Sequence, residues 1–204
     1  MIAIVNYGVG NLASIKNMLK RIGVDSVITN DSDEISTATK LILPGVGAFD
    51  TCAERLKSSN LTPILEHQAI NNRVPILGLC VGMQLLLEGS EEGKLPGLGW
   101  IKGKNVKFRQ SEMVSSLKVP HMGWTDVVPA RPSKLIANIT DPRFYFVHSY
   151  HAQLNNPEDG SISATYGYPF FAGVERRNIL GVQFHPEKSH KFGMKLFQNF
   201  VAAY

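Results

Sequence analysis

Val74-Pro75-Ile76-Leu77-Gly78-Leu79-Cys80-Val81-Gly82-Met83-Gln84-Leu85-Leu86-Leu87 is the stretch on which the fold turns. Its first half is an apolar run that reads as a buried strand, and a helix-like pattern follows. Cys80 sits at the junction, with Gly78 and Gly82 two residues to either side. G-x-C-x-G is the thiol form of the nucleophile elbow, a sharp strand-to-helix turn. Such a turn crowds the backbone, and glycines relieve the crowding because they lack a Cβ. The sulfur is lifted clear of the sheet and set over the start of the next helix, whose partial positive charge favours thiolate over thiol. The same helix start leaves the Val81 N–H free to bind an oxyanion. Most free cysteines are small buried hydrophobes chosen for packing. The glycine pair and the preceding strand set Cys80 apart; Cys52 has neither and is assigned to packing.

Outward from the elbow, the chain reads as a parallel α/β fold. Ile2–Val5 is a first buried strand. It runs into the glycine-rich turn Asn6-Tyr7-Gly8-Val9-Gly10, and Asn11 is placed to cap a helix with Leu12, Ile15, Met18, Leu19 and Ile22 as its apolar stripe. Gly23 ends that helix. The turn matches a dinucleotide-binding fingerprint only loosely, because the third glycine is missing at the required spacing. Val24–Ile28 and Leu41–Leu43 are the next strands. The latter leads into Pro44-Gly45-Val46-Gly47-Ala48-Phe49, where glycines on both sides of Val46 let a backbone N–H turn toward the thiol; a plain strand-to-helix turn, with Asp50 as the cap, fits the spacing equally well. Thr62 and Pro63 open a further helix, in cap and first-turn positions.

From Trp100 the texture changes to short strands: Trp100–Phe108, Ser116–Val119, Thr125–Val128, Phe144–Tyr150, Ser161–Tyr166 and Phe170–Val174, with His121–Trp124 in a turn after Pro120. Ile179–Phe184 is the last strand. Ser189 caps a final helix whose Phe192, Leu196, Phe197, Phe200 and Val201 form one apolar face. The expected architecture is three-layer α/β, a mostly parallel central sheet with an antiparallel extension.

The totals agree with one domain over residues 1–204. The chain is 44% hydrophobic and 19% charged, ordinary for a globular domain with a real core. A net charge of +4 is mildly basic, but no Lys/Arg run is long enough to require nucleic acid. Lys102, Lys104, Lys107 and Arg109 are read as a solvated strand face. Two cysteines make no disulfide framework. Met1–Val5 is too short and uncharged for a secretory leader, and no run approaches the ~20 apolar residues of a membrane span. A cytoplasmic setting without membrane or nucleic-acid partners is expected.

A nucleophilic thiol needs a base within reach and a third group to orient that base. Of His67, His121, His148, His151, His185 and His190, only His185 stands at a strand end with a carboxylate two residues on. Residues two apart in an extended segment point the same way, and Pro186 fixes the local shape. Glu187 can therefore hold one ring nitrogen while the other faces sulfur, in the manner of the Ser-His-Asp triad. The expected catalytic set is Cys80, His185 and Glu187.

With these residues in view, Gly78–Gln84 and His185-Pro186-Glu187 together resemble the class I glutamine amidotransferases, which split ammonia from glutamine. Within that class, the chain is similar to the glutaminase subunits of imidazole glycerol phosphate synthases. The likeness is carried by Tyr7–Leu12, Pro44–Phe49, His121–Trp124, Tyr145–Tyr150 and His185–Ser189, spread over the whole length. Val81 stands where the family often has leucine, and Thr125 where asparagine is frequent.

The resemblance implies a thioester mechanism with no cofactor and no metal. It implies an oxyanion hole from Val81 and the Val46–Gly47 region, and glutamine contacts from Gln84, Glu92, His148, Ser149 and Tyr150. Strand packing explains Tyr145, His148 and Tyr150 equally well on spacing alone. The implied partner is a (β/α)8-barrel cyclase, faced by Lys188 and flanked by His121 and Trp124. The Gly45–Gly47 peptide is expected to turn its carbonyl, not its N–H, to the site until that partner closes. Glutaminase subunits of other synthases, a stand-alone cysteine hydrolase and a non-enzymatic subunit with an inert elbow are the alternatives.

Overall fold

Period-two alternation along the first strands divides the molecule into layers. Ala3, Val5, Leu41 and Leu43 join one apolar cluster, while Ile2, Ile4 and Ile42 join another on the opposite face of the sheet. The computed structural model describes residues 1–113 and 117–204. Its strands are β1 (Ile2–Val5), β2 (Ser26–Thr29), β3 (Lys40–Leu43), β4 (Ile76–Leu79), β5 (Gly103–Lys107), β6 (His121–Pro129), β7 (Arg143–His148), β8 (Tyr150–Leu154), β9 (Gly160–Tyr166), β10 (Tyr168–Arg176) and β11 (Ile179–Val182). The helices are α1 (Leu12–Arg21), α2 (Ser32–Thr37), α3 (Phe49–Ser58), α4 (Thr62–Glu66), α5 (Val81–Leu85) and α6 (His190–Ala203).

Strand order is β2-β1-β3-β4-β11-β10-β9-β6-β7, with β5 on β8 and β8 on β10. The first five strands in that order pair in parallel. From β10 onward every named pairing is antiparallel. Ile15, Met18 and Leu19 of α1 and Leu196, Phe197 and Phe200 of α6 cover one face of the parallel part. Ile35 of α2, Cys52 and Leu56 of α3 and Leu65 of α4 cover the other. Among the described residues, no helix is long and apolar enough to cross a membrane.

Several local expectations are corrected. His121–Trp124 is no turn: it opens β6 and pairs residue for residue with β7, His121 opposite His148 and Trp124 opposite Tyr145. Phe144–Tyr150 is not continuous, because the chain breaks at Ser149 into β7 and β8, which pair with different neighbours. Ser116 of the expected 116–119 strand lies outside the described residues, and Leu117–Val119 form no strand. Asn11 and Ser189 precede their helices without a side-chain cap bond. Thr62 is the first helical residue, not the cap. Asp50 lies inside α3 and accepts from the N–H groups of Lys94 and Leu95, tying down the 93–95 loop. The short helix α2 was not anticipated, although Asp31 caps it by accepting from Asp33 N–H at 2.7 Å. Gly23 adopts φ +76° directly after α1, as its placement predicts.

The elbow glycines are demanded by contact. A Cβ on Gly82 would lie 1.9 Å from the Leu43 carbonyl oxygen, and one on Gly78 would lie 2.7 Å from Gly82 O. A Cβ on Gly45 would lie 2.3 Å from Gly82 N. The start of α5 thus rests on the end of β3, backbone against backbone. Gly82→Ala is expected to cost about 3 kcal/mol or more of stability, since the clash is with main chain that cannot swing aside. Urea unfolding measures this, and an unfolding midpoint equal to that of the unaltered chain would contradict it.

Candidate active site

Parallel strands place their carboxyl ends along one edge, and in open α/β sheets ligands bind in the crevice there. Cys80 follows β4, Gln183 to His185 follow β11, and Pro44 to Gly47 follow β3. Val182 pairs with Leu79, and its carbonyl accepts from the Cys80 N–H at 2.8 Å. Register alone therefore brings the His185 segment beside the cysteine, although more than a hundred residues separate them. Cys80 adopts φ +52°, ψ −112°, a conformation that non-glycine residues seldom hold and that marks a strained elbow.

Val46, Gly47, Cys80, Val81, Gln84, Glu92, His148, Ser149, Tyr150 and His185 line one cavity of about 240 Å3. It contains every residue expected in the oxyanion hole and glutamine site, but of the triad only Cys80 and His185. Glu187 stands behind His185, its Oε1 2.8 Å from Nδ1, with both side chains almost fully buried. A carboxylate accepts, so the ring carries a proton on Nδ1. Nε2 is buried and has no hydrogen-bond partner among the described residues, nor has Glu187 Oε2. Buried polar atoms left unpaired are rare and collect at functional sites. Burial opposes charging the ring, yet the Cys80 sulfur and the Glu187 carboxylate outweigh it and raise His185 to about 10. The sulfur is near enough to bias the proton, although the Nε2–sulfur bond is not closed here.

Three of the expected ligand-side residues are engaged with protein. Gln84 directs Nε2 to the Tyr150 carbonyl at 3.3 Å and to Gln183 Oε1 at 3.1 Å. Glu92 Oε2 accepts from Phe49 N–H at 2.8 Å, closing the start of α3. His148 sits in a chain: Nδ1 lies 2.8 Å from the Tyr150 carbonyl and Nε2 lies 2.9 Å from His121 Nδ1. Burial pushes His148 down to about 3 and His121 down to about 4, so both rings are neutral at ordinary pH. The Val46 carbonyl accepts from the Cys52 thiol at 3.4 Å. Because a peptide is planar and trans, the Gly47 N–H points the opposite way from that carbonyl. Burial raises Cys52 to about 11, which keeps it a thiol and suits its packing assignment.

The expected interface residues divide. Trp124 is 39% exposed and stacks on His190, with centroids 5.7 Å apart. Lys188 is exposed, its Nζ 5.9 Å from the Tyr145 ring centroid. His121 is 1% exposed and cannot meet a partner directly; that expectation is corrected, because β6 turns its side chain inward onto Phe146 and Tyr166. Sequence reasoning missed Gln183, whose Nε2 is 3.8 Å from Cys80 Sγ. Its signal was a polar residue inside the apolar run Ile179–Phe184, of which Ile179–Val182 pair as β11.

Comparison with known proteins defines the class. Residues 3–203 match the family model described as glutamine amidotransferase class-I, and the chain belongs to that family. Similar structures include PurLQS from Thermotoga maritima, with TM-score 0.72 at 17% identity over 98% of this chain and 96% of that one. A glutamine amidotransferase gives TM-score 0.71 at 16% identity, over 98% and 97%. At such identities the likeness concerns the fold.

Within the class, the chain is 51% identical over 202 residues to imidazole glycerol phosphate synthase subunit HisH 2 of Methanococcus maripaludis, covering 98% of each. It is 49% identical over 201 residues to subunit HisH of Bdellovibrio bacteriovorus, again 98% of each. Against subunit HisH 2 of Pseudomonas aeruginosa it is 48% identical over 202 residues, 98% of each.

The charge of His185 has a pH signature. Its affinity for the proton rises from an ordinary 6.5 to about 10 on folding. The stabilisation is therefore full below pH 6.5 and is lost as pH rises through about 10. His121 and His148 act oppositely, since acidification from 6.5 toward 4 protonates the unfolded chain first and destabilises the fold. NMR titration should find the His185 ring protonated at pH 8, with a lower titration midpoint in Glu187→Gln. A His185 midpoint near 6.5 in the unaltered protein would refute the ion pair.

Proposed function

We propose that this chain, acting as a single domain, is the glutaminase subunit of an imidazole glycerol phosphate synthase. It hydrolyses L-glutamine to glutamate and ammonia. It passes the ammonia to a (β/α)8-barrel cyclase, which makes imidazole glycerol phosphate and an aminoimidazole carboxamide ribonucleotide. The observation that carries the reading is the strained Cys80 elbow sharing a cavity with His185, itself held by buried Glu187. The names of the relatives at 48–51% identity, which are subunits of that synthase, select the pathway.

The Cys80 thiolate attacks the side-chain carbonyl carbon of glutamine, and the oxygen takes up negative charge. The Val81 N–H, with an N–H of the Val46–Gly47 segment, binds that oxyanion. His185 gives its Nε2 proton to the amide nitrogen as the C–N bond breaks, releasing ammonia and leaving a thioester on Cys80. His185 then takes a proton from water, whose oxygen attacks the thioester. Collapse frees glutamate and regenerates the thiolate–imidazolium pair. Glu187 keeps Nδ1 protonated throughout, so the ring presents Nε2 to the reaction.

Gln84, Glu92, His148, Ser149 and Tyr150 surround the remainder of the substrate. Both amide hydrogens of Gln84 are taken by protein, so its Oε1 is the group left to accept from the glutamine ammonium.

The partner meets the face that carries Lys188 and Trp124. Exposed Met122 and Val46 add apolar surface, at 60% and 47% accessibility. Ammonia is mostly protonated, and so unreactive, at neutral pH, which favours direct transfer between subunits in the cytoplasm over release. Gly47 adopts φ +101° with open space around it, which leaves the oxyanion peptide free to reorient when the partner docks.

Cys80→Ala is expected to lower glutamine hydrolysis by about 10⁴-fold or more. The unaltered chain should turn over glutamine faster once the cyclase and its nucleotide are added. Equal turnover with and without them would dismiss coupling to the partner, and undiminished hydrolysis by Cys80→Ala would dismiss the glutaminase itself.

A further inference from the structure

We propose that Gln183 holds the Cys80 sulfur as a thiolate by donating a side-chain N–H to it, and that hydrogen bonds running from the Tyr150 carbonyl through Gln84 force its amide into that orientation. The proposal deepens the glutaminase reading and rests on it for its kinetic consequences only.

The orientation follows from donor and acceptor chemistry, starting at the Tyr150 carbonyl, which can only accept. Two groups approach it, His148 Nδ1 at 2.8 Å and Gln84 Nε2 at 3.3 Å. Gln84 must therefore present its NH2 there, and the second hydrogen of that NH2 points at Gln183, 3.1 Å away. The atom of Gln183 that receives it has to be the carbonyl oxygen. Its own NH2 is thereby turned to Cys80, 3.8 Å from Sγ. The flipped amide would oppose two NH2 groups and set a carbonyl oxygen against the sulfur.

The same logic runs outward along the other branch. With its proton on Nδ1, neutral His148 accepts at Nε2 from His121 Nδ1, 2.9 Å away. His121 then accepts at Nε2 from the Thr125 hydroxyl, 2.7 Å away. Every proton from Thr125 to Cys80 is assigned without conflict, provided both rings are neutral.

Gln183 is completely buried. Burying an amide is costly unless its hydrogen bonds are made, and an apolar residue would continue β11 at less cost. The only side-chain bonds of Gln183 among the described residues run to Gln84 and Cys80. A hydrogen bond donated to the charged form of a titrating group favours that form.

The other groups around the sulfur are different in kind. His185, backed by Glu187, supplies charge, while His148, Gln84 and Glu92 line the same cavity. Tyr7 and Cys52 lie close in the core beneath. Among the described residues, Gln183 alone is a neutral side-chain donor directed at Sγ, and its effect does not titrate with His185.

Gln183→Met keeps the length and removes the donor; Gln183→Glu keeps the shape and puts an acceptor against the sulfur. The rate of Cys80 alkylation by iodoacetamide, followed from pH 5 to 10 and resolved from Cys52 by peptide mass, reports the thiolate directly. Cys80→Ala serves as the blank. The acidic limb should move up by about one pH unit in Gln183→Met, a tenfold loss of thiolate below the limb, and further in Gln183→Glu. At neutral pH, kcat should fall about tenfold with the glutamine KM within about threefold, and the deficit should shrink as pH rises.

Alkylation profiles that superimpose on the unaltered protein in both variants would overturn the proposal. Should Gln183→Met not fold, Gln183→Glu decides by the same readout. In the unaltered protein the Gln183 side-chain NH2 resonances should shift as Cys80 titrates; resonances indifferent to that titration overturn it as well. A chain that alkylates as described yet never hydrolyses glutamine would end the glutaminase reading and leave the Gln183–sulfur bond standing.

Discussion

The contact between the start of α5 and the end of β3 governs the geometry of this protein. There the backbone of Gly82 lies against the Leu43 carbonyl, closer than any side chain permits. That approach drives the chain through a sharp reversal at Cys80 and holds the residue at φ +52°. The strain is sustained because β4 is clamped between β3 and β11 and because Val81, Met83 and Leu85 of α5 are buried in the core. The result is a sulfur at the sheet edge, on a rigid mount, with a helix start beneath it.

Two buried polar systems meet at that sulfur and are tuned in opposite directions. On the β11 side, Glu187 and the sulfur overcome burial and keep His185 charged. On the β7 side, no carboxylate compensates, and burial keeps His148 and His121 neutral. Imidazoles in one small region are thus held in opposite charge states, one protonated and two neutral within a hydrogen-bonded chain. The difference lies in what faces each ring, not in the residue type.

The antiparallel arm makes this division possible. β6 and β7 pair so that His121 and His148 stand opposite each other, packed among Phe108, Phe146 and Phe170. The break at Ser149 then turns the Tyr150 carbonyl toward both His148 and Gln84. An arm that looks like an appendage to the parallel sheet therefore forms the far wall of the cavity. It also leaves Trp124 and Met122 outside, beside the surface of Lys188.

What the amino-acid order determined by itself was local and periodic. The glycine spacing around Cys80 identified the elbow, unbroken apolar runs identified β1, β3, β4 and β11, and Pro186 between His185 and Glu187 identified a short bracket in which ring and carboxylate meet. These features depend on neighbours two to four residues apart, which a sequence displays directly. Tertiary structure alone decided whatever depended on pairing between distant segments. His121 looked like a loop residue available to a partner until β7 paired with it and turned it inward. Asp50 looked like a helix cap until the 93–95 loop arrived to use its carboxylate. Gln183 passed as one residue of the strand expected over Ile179–Phe184 until the parallel register of β11 with β4 set it beside the sulfur. Hydrogen-bond direction in a buried network is a property of the closed chain of donors and acceptors, and no single segment carries it.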